Sequence, residues 1–331
     1  MSATLQIRAL VWEGTDRLGV HLVPAPARRP GWTSVAPIYT GICGSDLHIL
    51  AGEHPRARPG TVMGHEFVGR LAERTGDLPA GAHVFVNPML PCGQCEACLA
   101  GYQNTCPNMR AIGVDLPGGL AQQVLVPSEN LYPVPAGLSE RAAALIEPVA
   151  VAVRAISRGQ VQPGERVHVL GAGPIGLLVA LVARACGAAV SVSEPASTRR
   201  QAAGRLELAL RDKPDAQRRA DVVFDAAGHP AVAQSSAAWV RPSGRLVLVA
   251  AYPPTPTPFD LLGVMFNELK VVGSRIYTEP DIHAAIALLA RGEVPVDELI
   301  TAVVGLDQAA QAFDQLRRGE ALKILVDPQL Q

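Results

Sequence analysis

Over the first 150 positions the apolar residues come in short runs. Residues 8–12, 68–71, 83–86 and 122–126 are β-type runs separated by Gly, Pro and Asp clusters. Pro24, Pro26, Pro30, Pro37, Pro55 and Pro59 fix φ and remove backbone donors, so long helices are not expected there. The spacing changes near residue 140. Residues 139–146 read SERAAALI, a helix start with Ser139 as its N-cap. From residue 166 strand and helix patterns alternate. Strands are expected at 166–170, 189–193, 221–225 and 244–251, with an apolar helix at 176–186. Such alternation implies a parallel sheet with helices on both faces. Beyond Val271 the pattern shifts again, to helices at 281–291 and 307–317 and a closing strand at 321–326. No internal repeat interrupts this plan. The expected organisation is a β-rich domain at 1–148, a nucleotide-binding domain at 149–270, and a return of the chain to the first domain at 271–331.

Composition narrows the class. The chain has 331 residues, 48% of them apolar, and a formal net charge of -1. That is enough material for two ordinary domains, and no run of basic residues suggests nucleic acid. Arg199-Arg200 and Arg218-Arg219 are only pairs. The most apolar stretch, residues 176–192, is interrupted by Arg184 and fits a buried helix plus strand better than a membrane span. The first residues, MSATLQIRALVWEGTD, lack the pattern of a signal peptide, so a cytoplasmic location and no membrane partner are expected. Six cysteines in a reducing compartment favour metal over disulfides. Cys186, in the apolar helix, reads as a small core residue.

Residues 92–106 read CGQCEACLAGYQNTC, a Cys-x2-Cys-x2-Cys-x7-Cys spacing. Cys92, Cys95, Cys98 and Cys106 can supply four thiolates to a tetrahedral zinc. Four thiolates close the coordination shell, so such a zinc is structural. An iron-sulfur cluster and a pair of disulfides are the alternatives.

Residues 167–176 read VHVLGAGPIG. Gly171, Gly173 and Gly176 form G-x-G-x-x-G between a strand and a helix, the context that gives the string its meaning. The first glycine allows a tight turn, the second lets backbone approach a pyrophosphate, and the third lets helix pack on sheet. Pro174 and Ile175, between the second and third glycines, belong to the same cofactor-binding loop, and the N-terminus of the helix that follows attracts the phosphate charge. Glu194 ends the next strand, where a carboxylate accepts hydrogen bonds from a ribose diol and repels a 2′-phosphate. NAD is therefore favoured over NADP, with Arg199 and Arg200 pulling the other way.

Two further stretches, GICGSDLH at 41–48 and VMGHEFVG at 62–69, offer Cys43, Ser45, Asp46, His48, His65 and Glu66. Spacing alone does not show that Cys43 and His65 meet.

Taken together with VVFDAAG at 222–228, these motifs resemble the zinc-dependent medium-chain dehydrogenases, over residues 9–328. The resemblance implies an α/β plus β fold: a GroES-like catalytic domain interrupted by a Rossmann domain with a doubly wound parallel sheet. It implies two zinc ions per chain, the second held by Cys43 and His65. A carboxylate completes that site, Glu66 being the first candidate and Glu147 the second. A metal with an open position lowers the pKa of an alcohol it binds, and the nicotinamide takes the hydride. Ser45 matches the family's hydroxyl relay, which continues through the cofactor ribose to a histidine at His48. Asp46 is expected to support the site and not to react. Arg275 is expected near substrate or cofactor, or in a surface ion pair.

Within the family the chain is most similar to the (R,R)-butanediol, sorbitol and threonine dehydrogenases, through CGSDLH, Glu147-Pro148 and VVGSRIYTEPDIHAAIALLARGEV. The substrate expected is a secondary alcohol of the vicinal diol or polyol type. Alternatives are an amino-alcohol or cyclitol dehydrogenase of the same branch, a metal-independent quinone-type reductase, and a nucleotide-binding protein with a decayed site. A homodimer or homotetramer is expected, with the sheet edges of the nucleotide domain as the contact. One departure stands out: residues 195–220 are too few for the helix, strand and helix that the family places there, so the edge of the adenine pocket is in question.

Overall fold

The computed structural model describes residues 5–330. The chain forms two compact units. One runs to Glu147 and resumes at Ile300; the other is Pro148–Leu299.

In the first unit the organising strand is Trp32–Gly41. It pairs antiparallel with Glu66–Leu71 along one edge and with Lys323–Asp327 along the other, and Val124–Pro127 pairs with its first residues. His83–Val86 and Leu131–Pro133 extend the sheet beyond Glu66–Leu71, and Ile300–Gly305 extends it beyond Lys323–Asp327. The register places Gly41 opposite Glu66 on one side and opposite Leu325 on the other. Segments far apart in sequence therefore meet at residue 41, two positions before Cys43. A Cβ at Gly41 would lie 2.4 Å from Glu66 Oε2, so only glycine leaves room for the carboxylate.

Helix Gly44–Leu50 follows at once. Its Ile49 and Leu50 sink into a core with Trp12, Met63, Leu120, Phe313 and Ile324. That burial fixes the helix, which carries Ser45, Asp46 and His48. Ser139 is an N-cap as the pattern suggests: its Oγ accepts the Ala142 N–H at 3.1 Å.

The second unit is a six-stranded parallel sheet in the order Ala209–Leu210, Ala189–Ser193, Arg166–Leu170, Ala220–Asp225, Val240–Leu248, Lys270–Gly273. This is the doubly wound order 3-2-1-4-5-6, whose topological switch lies beside the first strand. The loop from Gly171 leaves that strand at its carboxyl end.

One expectation is corrected. Residues 271–299 belong to the second unit and not to the flanking one. The change of pattern near Val271 marks the sixth strand, Lys270–Gly273, paired with Val240–Leu248, and the helix Glu279–Ala290 follows it. The third strand is only two residues long, and among the described residues no helix stands between it and Ala220. Side chains cover the sheet there instead. The His168 ring stacks on Trp239 with centroids 4.0 Å apart, and the Arg211 guanidinium lies 5.5 Å over the same indole.

Candidate active site and metal centres

The sulfurs of Cys92, Cys95, Cys98 and Cys106 all lie within 4.8 Å of one another. The Cys95–Cys106 and Cys92–Cys106 sulfurs are 3.8 and 3.6 Å apart. A disulfide needs about 2.05 Å, and all four thiols are free. A zinc tetrahedron with Zn–S bonds of about 2.3 Å has edges of about 3.8 Å. The donor set and its spacing fit a closed zinc site. Backbone N–H groups of Gln94 and Cys95 pull the Cys92 thiol down to about 6, whereas burial pushes Cys98 up to about 12.

In the same unit the ligand atoms of Cys43, His65 and Glu66 also fall within 4.8 Å of one another. The structure thus brings together what spacing could not. Glu147, at the start of helix Ile146–Gly159, is buried but does not belong to this set. Glu66 Oε1 is buried without a hydrogen-bond partner among the described residues, as a carboxylate oxygen reserved for a cation would be. One thiol, one imidazole and one carboxylate are zinc donors, and three protein ligands leave a fourth position open.

The surroundings tune these groups. Asp46 Oδ2 accepts the Cys43 N–H at 2.9 Å, and its Oδ1 stands 3.4 Å from His65 Nδ1. Burial alone would keep His65 neutral, but the Asp46 carboxylate prevails and holds its pKa well above the ordinary value. Cation binding at such a histidine displaces a proton. Ser45 Oγ is 3.2 Å from His65 Nε2. His48, on the same helix, has a side chain 65% exposed and its Nδ1 is 2.8 Å from Glu53 Oε2.

Sequence reasoning missed Lys323. Its Nζ donates to Glu66 Oε2 at 2.5 Å and to the Ile42 carbonyl at 3.0 Å. Lysine and glutamate are 3% and 0% exposed. Burial disfavours the ammonium, yet Glu66, then Cys43, raise its pKa. The signal was there: a lone lysine within the apolar run ALKILV needs a buried partner.

The nucleotide loop of the second unit has its own geometry. Gly171 has φ +95°, and a Cβ at Gly176 would meet the Gly171 carbonyl at 1.9 Å. A Cβ at Gly173, by contrast, meets only Arg199 Nη1, at 4.0 Å, so the space above this residue is open. Pro174 begins the helix Pro174–Ala185, with Ile175 behind it. Glu194 is buried at its strand end. It accepts the Ala172 N–H at 2.8 Å and the Ala196 N–H at 2.9 Å, and Arg199 lies 3.9 Å away. Glu194 therefore braces the loop, a role beyond the ribose contact expected of it.

Residues 29–136 match the family model of the alcohol dehydrogenase GroES-like domain, and residues 174–291 match that of the zinc-binding dehydrogenases. A 2-dehydro-3-deoxy-L-galactonate 5-dehydrogenase from Pseudoalteromonas atlantica is 35% identical over 87% of this chain and 89% of its own. The chain is a zinc-dependent medium-chain dehydrogenase. This dehydrogenase is also similar to a zinc-binding dehydrogenase from Sinorhizobium meliloti solved with NADP. Identity there is 30% and the TM-score 0.92, over 98% of this chain and 100% of the other. The 2R,3R-butanediol dehydrogenase of Bacillus subtilis has 28% identity and a TM-score of 0.90, over 98% and 100%. The enzyme is an oxidoreductase of the zinc alcohol dehydrogenase type, and zinc and a nicotinamide dinucleotide are its cofactors. No helix among the described residues is long and apolar enough to cross a membrane.

Proposed function

We propose that this dehydrogenase oxidises a secondary alcohol of a vicinal diol or polyol to the ketone, with NAD⁺ as hydride acceptor and release of one proton. The observation that carries the reading is the gathered set of Cys43, His65 and Glu66 with its orphaned Glu66 oxygen. Similarity to enzymes named for a butanediol and for a sugar acid supports the substrate class.

Cys43, His65 and Glu66 would hold the catalytic zinc. A metal of this kind makes an alcohol acidic enough to ionise near neutral pH. The protein's own part is to position and to move the proton. Lys323 holds one Glu66 oxygen and leaves the other free to serve a metal. Asp46 orients His65. Ser45, within hydrogen-bond reach of His65, is placed to take the hydroxyl proton. His48, exposed on the same helix, would pass it to solvent. Gly171, Gly173, Pro174, Ile175 and Gly176 would receive the cofactor pyrophosphate, with Arg199 beside the open space over Gly173. Glu194 favours the ribose diol over a 2′-phosphate.

The test is a screen of diols, polyols, amino alcohols and cyclitols with NAD⁺ and NADP⁺. Activity on diols or polyols with NAD⁺, abolished in a folded Cys43→Ser variant, is the expected result. Full activity in Cys43→Ser would replace this reading with a metal-independent reductase. Glu194→Ala should lower the NAD/NADP ratio, and an unchanged ratio would remove the ribose contact.

A further inference from the structure

One polar cluster near the metal set is not used above. His54 lies in the loop after helix Gly44–Leu50. Its Nδ1 accepts the backbone N–H groups of Arg56 and Ala57, both at 3.3 Å. A ring nitrogen that accepts carries no proton, so the proton of the neutral ring is on Nε2. That N–H finds no acceptor among the described residues. Ala57 is buried in the core beside Ile49 and Met63, which anchors the loop.

Asp115 faces the same region from another segment. Its Oδ2 accepts the Ala111 N–H at 2.8 Å and pairs with Arg56 at 3.3 Å. Both contacts fall on one oxygen. Residues 113–120 lie directly on the strand leading to His65: Gly118, Gly119 and Leu120 donate to the carbonyls of Val62, Gly64 and Met63 at 2.8–3.0 Å. A Cβ at Gly113 would sit 2.4 Å from the Gly64 carbonyl. Nothing but glycine lets the Asp115 turn come this close to the metal ligand's backbone. His54 feels the same neighbours. Its pKa is lowered, first by burial and then by Arg56, and Asp115, His65 and Asp46 all act on it.

We infer that the His54 Nε2–H and the Asp115 carboxylate form a donor–acceptor pair beside the catalytic metal set that recognises a second, non-reacting hydroxyl of the substrate. The inference rests on the function proposed above and narrows its substrate class. A hydroxyl both donates and accepts, and the pair offers one partner for each role. The adjacent Arg56 does not recruit a carboxylate. Its guanidinium is held by the Met109 carbonyl, and Asp115 balances its charge. The pair therefore suits an uncharged polyol better than a sugar acid.

The experiment compares the zinc-loaded enzyme with His54→Asn and His54→Phe on 2-butanol, 2,3-butanediol, sorbitol and L-galactonate. Asparagine can still accept the loop N–H groups through its side-chain oxygen, but it does not reproduce the Nε2–H. Both variants should raise KM for the diol and the polyol about tenfold, the loss of one well-made hydrogen bond. KM for 2-butanol, zinc content and Tm should stay unchanged in His54→Asn. The wild type should prefer sorbitol to L-galactonate, and the Kd of sorbitol by calorimetry should weaken in parallel with KM. A His54→Asn variant equal to wild type on the diols, or one equally impaired on 2-butanol, would overturn the inference and leave the proposed function standing. A wild type that prefers L-galactonate or 2-butanol would overturn it too. A wild type that oxidises none of the four would remove the proposed function and this inference with it.

Discussion

Lys323 shows how one side chain can decide the state of a site. A buried carboxylate that loses its cation keeps the cost of burial without the attraction. Lys323→Met should therefore destabilise the protein by about 3–5 kcal/mol, measured by urea unfolding. Glu66→Gln should recover part of that loss in the double variant, because a neutral amide needs no counter-charge. Additive effects would mean that the two groups do not interact as the 2.5 Å contact implies. His168 makes a second residue-scale case. Its two ring nitrogens lie 2.8 Å from Ser191 Oγ and Ser193 Oγ, and burial, with Arg211, pushes its pKa down to about 3. The unfolded chain, with an imidazole near 6.5, binds the proton more readily. His168 thus contributes stability that is complete above about pH 6.5 and is lost as pH falls toward its folded value. His168→Gln should flatten the unfolding midpoint across that window, and an unchanged acid slope would assign the effect elsewhere.

At the scale of elements, legibility followed how local the cause was. The phosphate loop and the four-cysteine lobe were readable because each lies in one short segment whose turn residues and ligands are neighbours in sequence. Strand-helix alternation was readable for the same reason. The sixth strand was missed because KVVG is only four residues long and lies three residues beyond the helix Leu261–Phe266. Its membership depends on pairing with Val240–Leu248, which no local pattern records. The meeting of Cys43, His65 and Glu66 was not legible in spacing and was expected only from family resemblance, since they converge by sheet register at Gly41. Lys323 was missed because its partner is 257 residues away. The cysteine lobe yields its own prediction. Cys95→Ser should lower zinc from two ions per chain to one and lower Tm, while the remaining metal stays with Cys43 and His65. Metal analysis that still finds two ions would refute the four-thiolate assignment.

For the whole molecule, the edge strand Lys270–Gly273 is open on its outer side among the described strands. Beside it the helix Leu261–Phe266 exposes Leu261, Leu262, Met265 and Phe266, the last 73% accessible. Apolar patches next to an open sheet edge mark association sites. A second copy of the chain adding its own edge strand would cover both, consistent with a homodimer. If a homodimer or homotetramer forms through this edge, Phe266→Asp should lower the mass measured by light scattering, and a monomeric wild type would exclude such pairing.

The register at Gly41 also carries a consequence for biosynthesis. Cys43, His65 and Glu66 leave the ribosome early, whereas the strand holding Lys323 emerges after the whole of the second unit has been made. Until then Thr40 and Gly41 lack their partners along one edge, and Glu66 lacks its counter-charge. The Pro148–Leu299 unit can finish folding in that interval, as domains do during synthesis. Maturation of the Cys43, His65 and Glu66 set would thereby wait until the second unit has been made, and a polypeptide cut before Lys323 would present these side chains without the lysine that holds Glu66.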